Sequence, residues 1–254
     1  MTPSSTAAAG GAGEGGVRLD LPQADLAQQG LALPDLEAVF ALTDETAADG
    51  RVARGQRTRR SVADALIALL REGDNEPTAR AVAERAGVSL RLVFHHFSDI
   101  DDLYHYVAAL QLRSQWSGMP HLSPRLTLDK RLERTVSHRA SLFEEVSPVR
   151  RAMVPRLSTS PGVSDVVYLA DALLLENVKS TFAPELSPLP DGVRNEYLDA
   201  MDTATSWEAW DRMRRTSGLQ VRAARRVMAR LLAATCNEAL SSPGRASAPI
   251  GVLF

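Results

Sequence analysis

The sequence predicts an all-α protein built from two blocks of helices. From residue 57 onward, apolar residues recur every three or four positions, the spacing of helices that bury one face. No stretch alternates apolar and polar residues in the manner of a half-buried strand, and no β-hairpin pattern is found. The breaks between periodic stretches are rich in glycine, proline and serine, residues that begin and end helices.

Length and composition limit the class of protein. The chain has 254 residues, of which 44% are hydrophobic, and a single cysteine, Cys236. This length suits one large domain or two ordinary ones. One cysteine excludes a disulfide framework and a cysteine-rich zinc site, so a reducing compartment is expected. Since no apolar run approaches the ~18 residues of a membrane span and no signal-peptide pattern opens the chain, we expect a soluble cytoplasmic protein with no membrane partner.

Charge is unevenly distributed, although the net charge is only −2. Residues 1–50 carry eight acidic residues and one arginine, a balance of −7, so the remaining residues sum to +5. Alanine and glycine dominate the beginning of this segment, and we expect residues 1–50 to form a disordered acidic arm. Five arginines follow within residues 51–60, and from charge alone they suit either a solvated linker or a phosphate-binding surface.

The first block contains a short helix near residues 33–42 and four further helices. An apolar stripe over residues 62–70 predicts the first long helix. Thr78 and Ser89 are expected to cap the next two helices, and Gly87 lies where a left-handed residue ends the first of these. The fourth of these helices begins with several aspartates, which suit the positive end of a helix dipole.

The second block ends in two long amphipathic helices joined near Gly218. Such a hairpin needs a further partner surface. The expected helical segments of this block are residues 126–146, 149–157, 164–182, 193–216 and 219–240. The candidates for this partner surface are apolar residues of the last two helices: Tyr197, Met201, Ala204, Met228 and Leu231. Residues 241–254 are expected to form a flexible tail.

Residues 78–97 have the spacing of a helix-turn-helix. Ala83 lies four residues before Gly87, and Val93 lies six residues after it. A small residue lets two helices approach, the glycine bends the chain, and the apolar residue anchors the second helix. The outer face of that second helix is then free to enter a DNA major groove. A purely structural helical hairpin can show the same spacing, so spacing alone leaves both interpretations open.

The flanking residues resemble a known family. Five parts of the sequence resemble the N-terminal DNA-binding domain of the TetR family of bacterial transcriptional regulators. They are the helix at 60–70, Thr78, VAERAGVS at 82–89, FHHF at 94–97 and the stretch 99–103. A weaker resemblance at residues 204–210 and Leu219 is similar to the hairpin through which such proteins dimerise. The resemblance implies a three-helix DNA-binding domain over residues 51–107 and a helical effector-binding and dimerisation domain over residues 108–240.

The resemblance also implies a function. It points to a homodimeric transcription regulator, most often a repressor, that an unknown small-molecule effector releases from a double-stranded DNA operator. Arg91 suits either a bidentate contact to guanine O6 and N7 or a phosphate contact alone. The residues expected to contact DNA are Arg57, Arg60, Thr78, Ala79, Arg80, Ser89, Leu90, Arg91, His95 and His96. Phe94 and Phe97 are expected to anchor the second helix in the core.

Several positions depart from the family pattern. The glycine and threonine usual within the recognition helix are Arg91 and Leu92 here, the usual tyrosine is Phe94, and a phosphate-binding lysine is replaced by Ile100. These departures keep a second interpretation open. In it, the chain is a helical small-molecule-binding protein or enzyme that retains the domain without binding DNA specifically.

No catalytic motif, metal site or cofactor site is predicted. The adjacent residues His95 and His96 would point about 100° apart on a helix, which does not suit one metal ion. The hydrolase, P-loop and zinc-protease motifs do not occur, so we expect a protein that is not an enzyme. Candidate residues for the effector pocket, each taken singly better explained as ordinary core, are Phe143, Met153, Tyr168, Leu169, Leu173 and Trp207.

Overall fold

Eleven α-helices contain most of the residues that the structure describes. The computed structural model describes residues 36–43 and 50–241, and no strand occurs among them, which confirms the predicted all-α class. Most of the predicted acidic arm and nearly all of the predicted tail lie outside the described residues. In chain order the helices are α1 (Leu36–Ala41), α2 (Gly50–Arg71), α3 (Ala79–Ala86), α4 (Leu90–His96), α5 (Ile100–Ser117), α6 (Leu128–Met153), α7 (Pro161–Thr181), α8 (Ala183–Leu186), α9 (Asp191–Thr205), α10 (Trp207–Asp211) and α11 (Val221–Ser241).

Helices α2, α3 and α4 form the predicted three-helix unit. Thr78 Oγ1 accepts a hydrogen bond from the Ala81 amide, and Ser89 Oγ accepts one from the Leu92 amide, each at 3.2 Å. Both predicted N-caps are therefore confirmed. Gly87 ends α3 with φ 68°, a left-handed conformation that favours glycine, and turns the chain toward α4.

Helix α5 connects this unit to the rest of the chain. Asp99 caps its first turn by accepting a hydrogen bond from the Asp102 amide at 2.8 Å. The helix packs against α2 on one side and along α7 on another, with Leu103 and Val107 fully buried. Helix α1 also packs on α5, where Arg113 donates hydrogen bonds to the Phe40 carbonyl and to Thr43 Oγ1.

The second block is a helical bundle in which α6, α7, α9 and α11 enclose a common core. Large side chains of this core, including Phe143, Trp210 and Met228, are buried. Arg131 and Glu185 form a buried ion pair, with a distance of 2.5 Å between Nη2 and Oε1. Burial raises the pKa of the Cys236 thiol to about 12, so this thiol stays protonated at neutral pH.

Two predicted helix boundaries were wrong. Helix α6 does not end at residue 146 but continues through Pro148 to Met153. The proline removes one backbone hydrogen bond, yet Val149 and Ala152 beyond it are buried, so packing maintains the helix. The helix predicted over residues 193–216 is interrupted at Ser206, whose extended backbone lets its side chain cap α10 through the Ala209 amide.

No helix within residues 36–43 and 50–241 combines the length and the apolar composition that crossing a bilayer requires.

Candidate nucleic-acid interface

The outer face of α4 presents a mixed cationic and apolar surface. Arg91 and His95 are exposed on this helix. Leu90 is 39% exposed and Phe94 is 48% exposed, which is unusual for large apolar side chains. The opposite face is anchored by Val93, which is 2% exposed. The helix therefore projects four side chains of different chemistry away from the core, as base recognition requires.

The expectation that Phe94 anchors the core was wrong. The buried anchors are Val93 and Phe97, which lie four residues apart and therefore face the same side of the chain. Phe94 follows Val93 by one position, a rotation of about 100° on a helix, so its ring turns outward. Its exposure makes Phe94 a candidate contact residue that the sequence alone did not identify.

Arg91 is the cation most available at this face. Among the residues that the structure describes, no acidic group lies within ion-pair distance of its guanidinium group. By contrast, Arg60 Nε lies 3.0 Å from Asp64 Oδ1, and Arg80 faces Glu84 at 3.9 Å. These exposed pairs are weak and can exchange for phosphate oxygens. Arg57, on α2, is also exposed.

Two other basic residues serve the fold instead. Arg59 lies over the rings of Phe97 and Tyr106, with distances of 5.1 and 4.5 Å from its guanidinium carbon to the ring centroids. Arg85 pairs with Glu72 across α2 and α3. The arginines of α2, α3 and α4 thus divide into residues that face solvent and residues that hold the three helices together.

The two histidines differ in their surroundings. His95 is exposed, whereas His96 is half-buried against α2, where its ring faces Gly55. Desolvation lowers the pKa of His96, with smaller contributions from His95 and Arg59, so its imidazole is neutral at pH 7. His95 is therefore better placed than His96 to meet DNA. No group of three potential metal ligands occurs within the described part of the chain.

The caps of α3 and α4 place polar atoms beside this face. Thr78 and Ser89 are exposed, and each uses its oxygen as an acceptor within its own helix cap. Their hydroxyl hydrogens remain available to donate to phosphate oxygens. The amides of Ala79 and Leu90 lie in the first turns, where backbone N–H groups lack helical acceptors.

The aspartates that begin α5 are engaged within the protein. Asp99 accepts from a backbone amide, Asp102 Oδ2 accepts from the Ser98 amide at 2.9 Å, and Asp101 pairs with Arg156 at 3.0 Å. These contacts partly neutralise the carboxylates, which reduces their repulsion of a nearby phosphate backbone.

The candidate effector-pocket residues lie in the second block. Phe143, Met153, Leu169, Leu173 and Trp207 are buried, while Tyr168 is 43% exposed. A cavity of about 40 Å³ borders Met153. Two larger clefts, each of about 510 Å³, lie elsewhere: one between α2, α5 and α6, the other between α6 and α11.

The candidate dimer residues divide into two groups. Met201 and Met228 are fully buried within the protomer and Ala204 is 7% exposed, so these side chains pack in the chain's own core and face no partner. The assignment of these three residues to an interface is corrected accordingly. Tyr197 is half-buried and Leu231 is 48% exposed. Val227, one turn before Leu231, is also exposed.

Comparison with known families matches the segment around this interface. Residues 63–107 match the family model described as "Bacterial regulatory proteins, tetR family". The matched segment includes the C-terminal part of α2, all of α3 and α4, and the first part of α5. Comparisons with curated proteins and with solved structures found no match.

Proposed function

We propose that the chain is a homodimeric repressor of the TetR family, released from its operator by a small molecule. The match of residues 63–107 to the TetR family model supports this proposal. The coarser function, that of a DNA-binding transcriptional regulator, follows from the domain itself. The observation that carries the proposal is the exposed face of α4. There Arg91, which has no ion-pair partner within the described residues, adjoins the apolar residues Leu90 and Phe94.

In the proposed complex, α4 enters the major groove. Arg91 donates two hydrogen bonds to guanine O6 and N7, a contact worth about 1–3 kcal/mol against the wrong base. Leu90 and Phe94 contact thymine methyl groups, the apolar feature of the major groove. Residues around the groove bind phosphate and position the helix without reading sequence: Arg57, Arg60, Thr78, Ala79, Arg80, Ser89 and His95.

The dimer is proposed to form through the hairpin of α9 and α11. These helices pack against each other, and α11 exposes Val227 and Leu231 on a face that the protomer's core does not use. Helix α9 exposes Glu196 while α11 exposes Arg226 and Arg230, so the two helices carry opposite charges. A two-fold axis brings the same patch of both protomers together, which allows α9 of one to meet α11 of the other.

Contacts between the two blocks support coupling of effector binding to DNA release. Arg156, just after α6, pairs with Asp101 and lies 3.8 Å from the Tyr104 ring centroid, both on α5. The first turn of α7 approaches α5 closely, since a methyl group at Gly162 would lie 2.8 Å from His105 Nδ1. Movement of α6 or α7 is thereby transmitted to α5 and to α2–α4. An effector that binds more tightly to the dimer at one spacing of its two α4 helices then shifts the dimer toward that spacing. The size of the shift is the difference between its binding free energies for the two spacings, typically about 1–3 kcal/mol.

Selection of bound duplexes from a random DNA library by the full-length protein tests this proposal. We expect enrichment of a two-fold-symmetric site whose half-site centres are about 34–36 Å apart, or a multiple of that distance. Each half-site should contain guanine next to thymine. Enrichment of a single asymmetric half-site would contradict the dimer, and no enrichment would contradict specific recognition.

A further inference from the structure

A fully buried arginine lies in the middle of the second block. Arg139 on α6 has no exposed surface, and its Nη2 donates a hydrogen bond to the Leu174 carbonyl on α7 at 2.6 Å. Its Nε and Nη1 atoms have no hydrogen-bond partner among the described residues. A buried charge without a counter-ion costs several kcal/mol, so such a group is rare unless a ligand or partner compensates it.

Two further residues of α6, close to Arg139 in sequence, carry unpartnered polar atoms. Thr135 Oγ1 and His138 Nε2 are buried and lack partners within the described chain. These residues precede Arg139 by four positions and by one, and Thr135 lies on the same helix face. Burial lowers the pKa of His138, with a smaller contribution from Arg139, so the imidazole is neutral at pH 7. The cluster therefore offers several donors and one net positive charge.

Asp171 and Asp202 stabilise the charge of Arg139 through space, but neither forms an ion pair or a hydrogen bond with it. Asp171 lies 2.6 Å from Arg150 Nη2, and Glu208 lies 3.2 Å from the same atom, so both are already paired. Asp202 on α9 interacts with Arg139 only through space, and desolvation raises the pKa of Asp202 to about 6. Desolvation also lowers the pKa of Arg139 to about 10, which still leaves the guanidinium group charged at pH 7.

The surroundings of the arginine are apolar. Phe143 lies one turn further along α6, and Leu173 adjoins the residue whose carbonyl Arg139 contacts. Both side chains are buried, and both are candidate effector-pocket residues. A guanidinium group inside an apolar bundle suits a ligand with one carboxylate and an apolar body, because a carboxylate accepts two parallel N–H bonds and supplies the missing charge.

We propose that Arg139 binds the carboxylate of the effector, which is therefore a small organic acid with an apolar body. The proposal rests on the proposed function, in which an effector binds within the second block. Arg139 provides the charge and orientation, while Phe143 and Leu173 contact the apolar part. Binding would also require α6, α7 and α9 to move slightly apart, which connects occupancy of the site to the helices that contact α5.

Thermal unfolding of the full-length protein with matched acids and amides tests the proposal. The probes are benzoate and octanoate, with benzamide and octanamide as uncharged counterparts of similar size. We expect at least one acid to raise Tm with an apparent affinity about tenfold or more above that of its amide, because the amide lacks the charge that Arg139 requires. Equal effects of acid and amide, or no effect of either acid, would overturn the proposal.

Two variants locate the effect. Arg139→Met should keep the fold, since an apolar residue replaces a buried charge that has no hydrogen-bonded counter-ion, and it should remove the preference for acids. Arg212→Met, at an exposed arginine of the same block, should retain that preference. An unchanged preference in Arg139→Met would refute the assignment. If Arg139→Met does not fold, Arg139→Lys takes its place. The lysine keeps the charge but loses the planar fork, so the preference for acids over amides should weaken.

Asp202 is the rival partner of Arg139, and Asp202→Asn separates the two possibilities. If Asp202 compensates Arg139, Asp202→Asn should have a lower Tm than the wild type at pH 7.5, and the wild type should not bind the acids. We expect the opposite. Asp202→Asn should have a higher Tm than the wild type at pH 7.5, and it should bind the acids more tightly than the wild type does. The folded protein holds the Asp202 proton more strongly than the unfolded chain does. The free energy of unfolding of the wild type should therefore fall as pH rises from about 4 to about 6. This fall should be smaller in Asp202→Asn, which lacks the carboxyl group.

DNA binding measured with the same probes distinguishes failure of this inference from failure of the proposed function. Acid binding at Arg139 without any change in DNA affinity would retain the carboxylate site but contradict release by an effector. Absence of specific DNA binding would contradict the repressor and leave the acid-binding measurement unaffected.

Discussion

Helix α11 offers a matched pair of substitutions that test the proposed dimer. Leu231 and Leu240 are 48% and 51% exposed, so their side chains are equally accessible in the protomer. They lie nine residues apart, which is two and a half helical turns, and therefore point in opposite directions. The proposed interface includes Leu231 and excludes Leu240. Leu231→Glu should separate the protomers, whereas Leu240→Glu should not.

The expected loss of dimerisation free energy in Leu231→Glu follows from the exposure of Leu231 and from the two-fold symmetry. Burying the exposed half of one leucine side chain is worth about 1 kcal/mol, and the two-fold axis doubles this to about 2 kcal/mol per dimer. Two glutamates at the same interface add a desolvation cost of at least about 2 kcal/mol. The combined loss of about 4 kcal/mol weakens dimerisation roughly a thousandfold.

Sedimentation equilibrium at micromolar concentration measures this loss. The wild type and Leu240→Glu should sediment as dimers, and Leu231→Glu as a monomer with unchanged helix content by circular dichroism. The monomer should also lose operator affinity, because it presents only one copy of α4 to the DNA. A Leu231→Glu protein that dimerises as tightly as the wild type would place the interface elsewhere.

Substitutions at Arg91, Ser89 and Glu185, with one at Glu72 as a control, test the DNA interface and the core. Arg91→Ala should weaken specific binding by about 1–3 kcal/mol and non-specific binding less, whereas equal losses in a filter-binding assay would indicate a phosphate contact. Ser89→Asp should retain the helix cap and lose DNA affinity through charge repulsion, while Ser89→Ala should lower the free energy of unfolding by about 1 kcal/mol. Glu185→Gln should lower that free energy by about 3–5 kcal/mol in urea unfolding, because it leaves Arg131 buried without a counter-ion. The same change at exposed Glu72 should leave urea unfolding unchanged, and equal effects would contradict the role of burial.

The parts of the fold that depend on local chemistry were predictable from the sequence. A serine or threonine cap and a left-handed glycine are determined by a few neighbouring residues, so Thr78, Ser89 and Gly87 could be placed without the structure. The all-α class follows in the same way from repeated apolar spacing.

Features that depend on packing between distant segments were not predictable. Phe94 lies among apolar neighbours, and the contacts of α4 with α2 and α3 decide which of those residues turn inward. The apolar stripes of α9 and α11 correctly indicated buried residues. They could not show that the chain's own core, rather than a second copy, buries Met201 and Met228. Arg139 was missed because a charged residue is expected at the surface unless a partner is known.

A gel shift of the purified full-length protein with duplex DNA from its own upstream region tests DNA recognition most directly. We expect a discrete complex at low salt, with an affinity that falls steeply as salt rises because bound phosphates release counter-ions. Arg91→Ala, prepared in parallel, should weaken this complex while retaining the fold. Absence of any complex at low salt would contradict DNA binding through α4. It would favour a helical small-molecule-binding protein that retains the domain without using it.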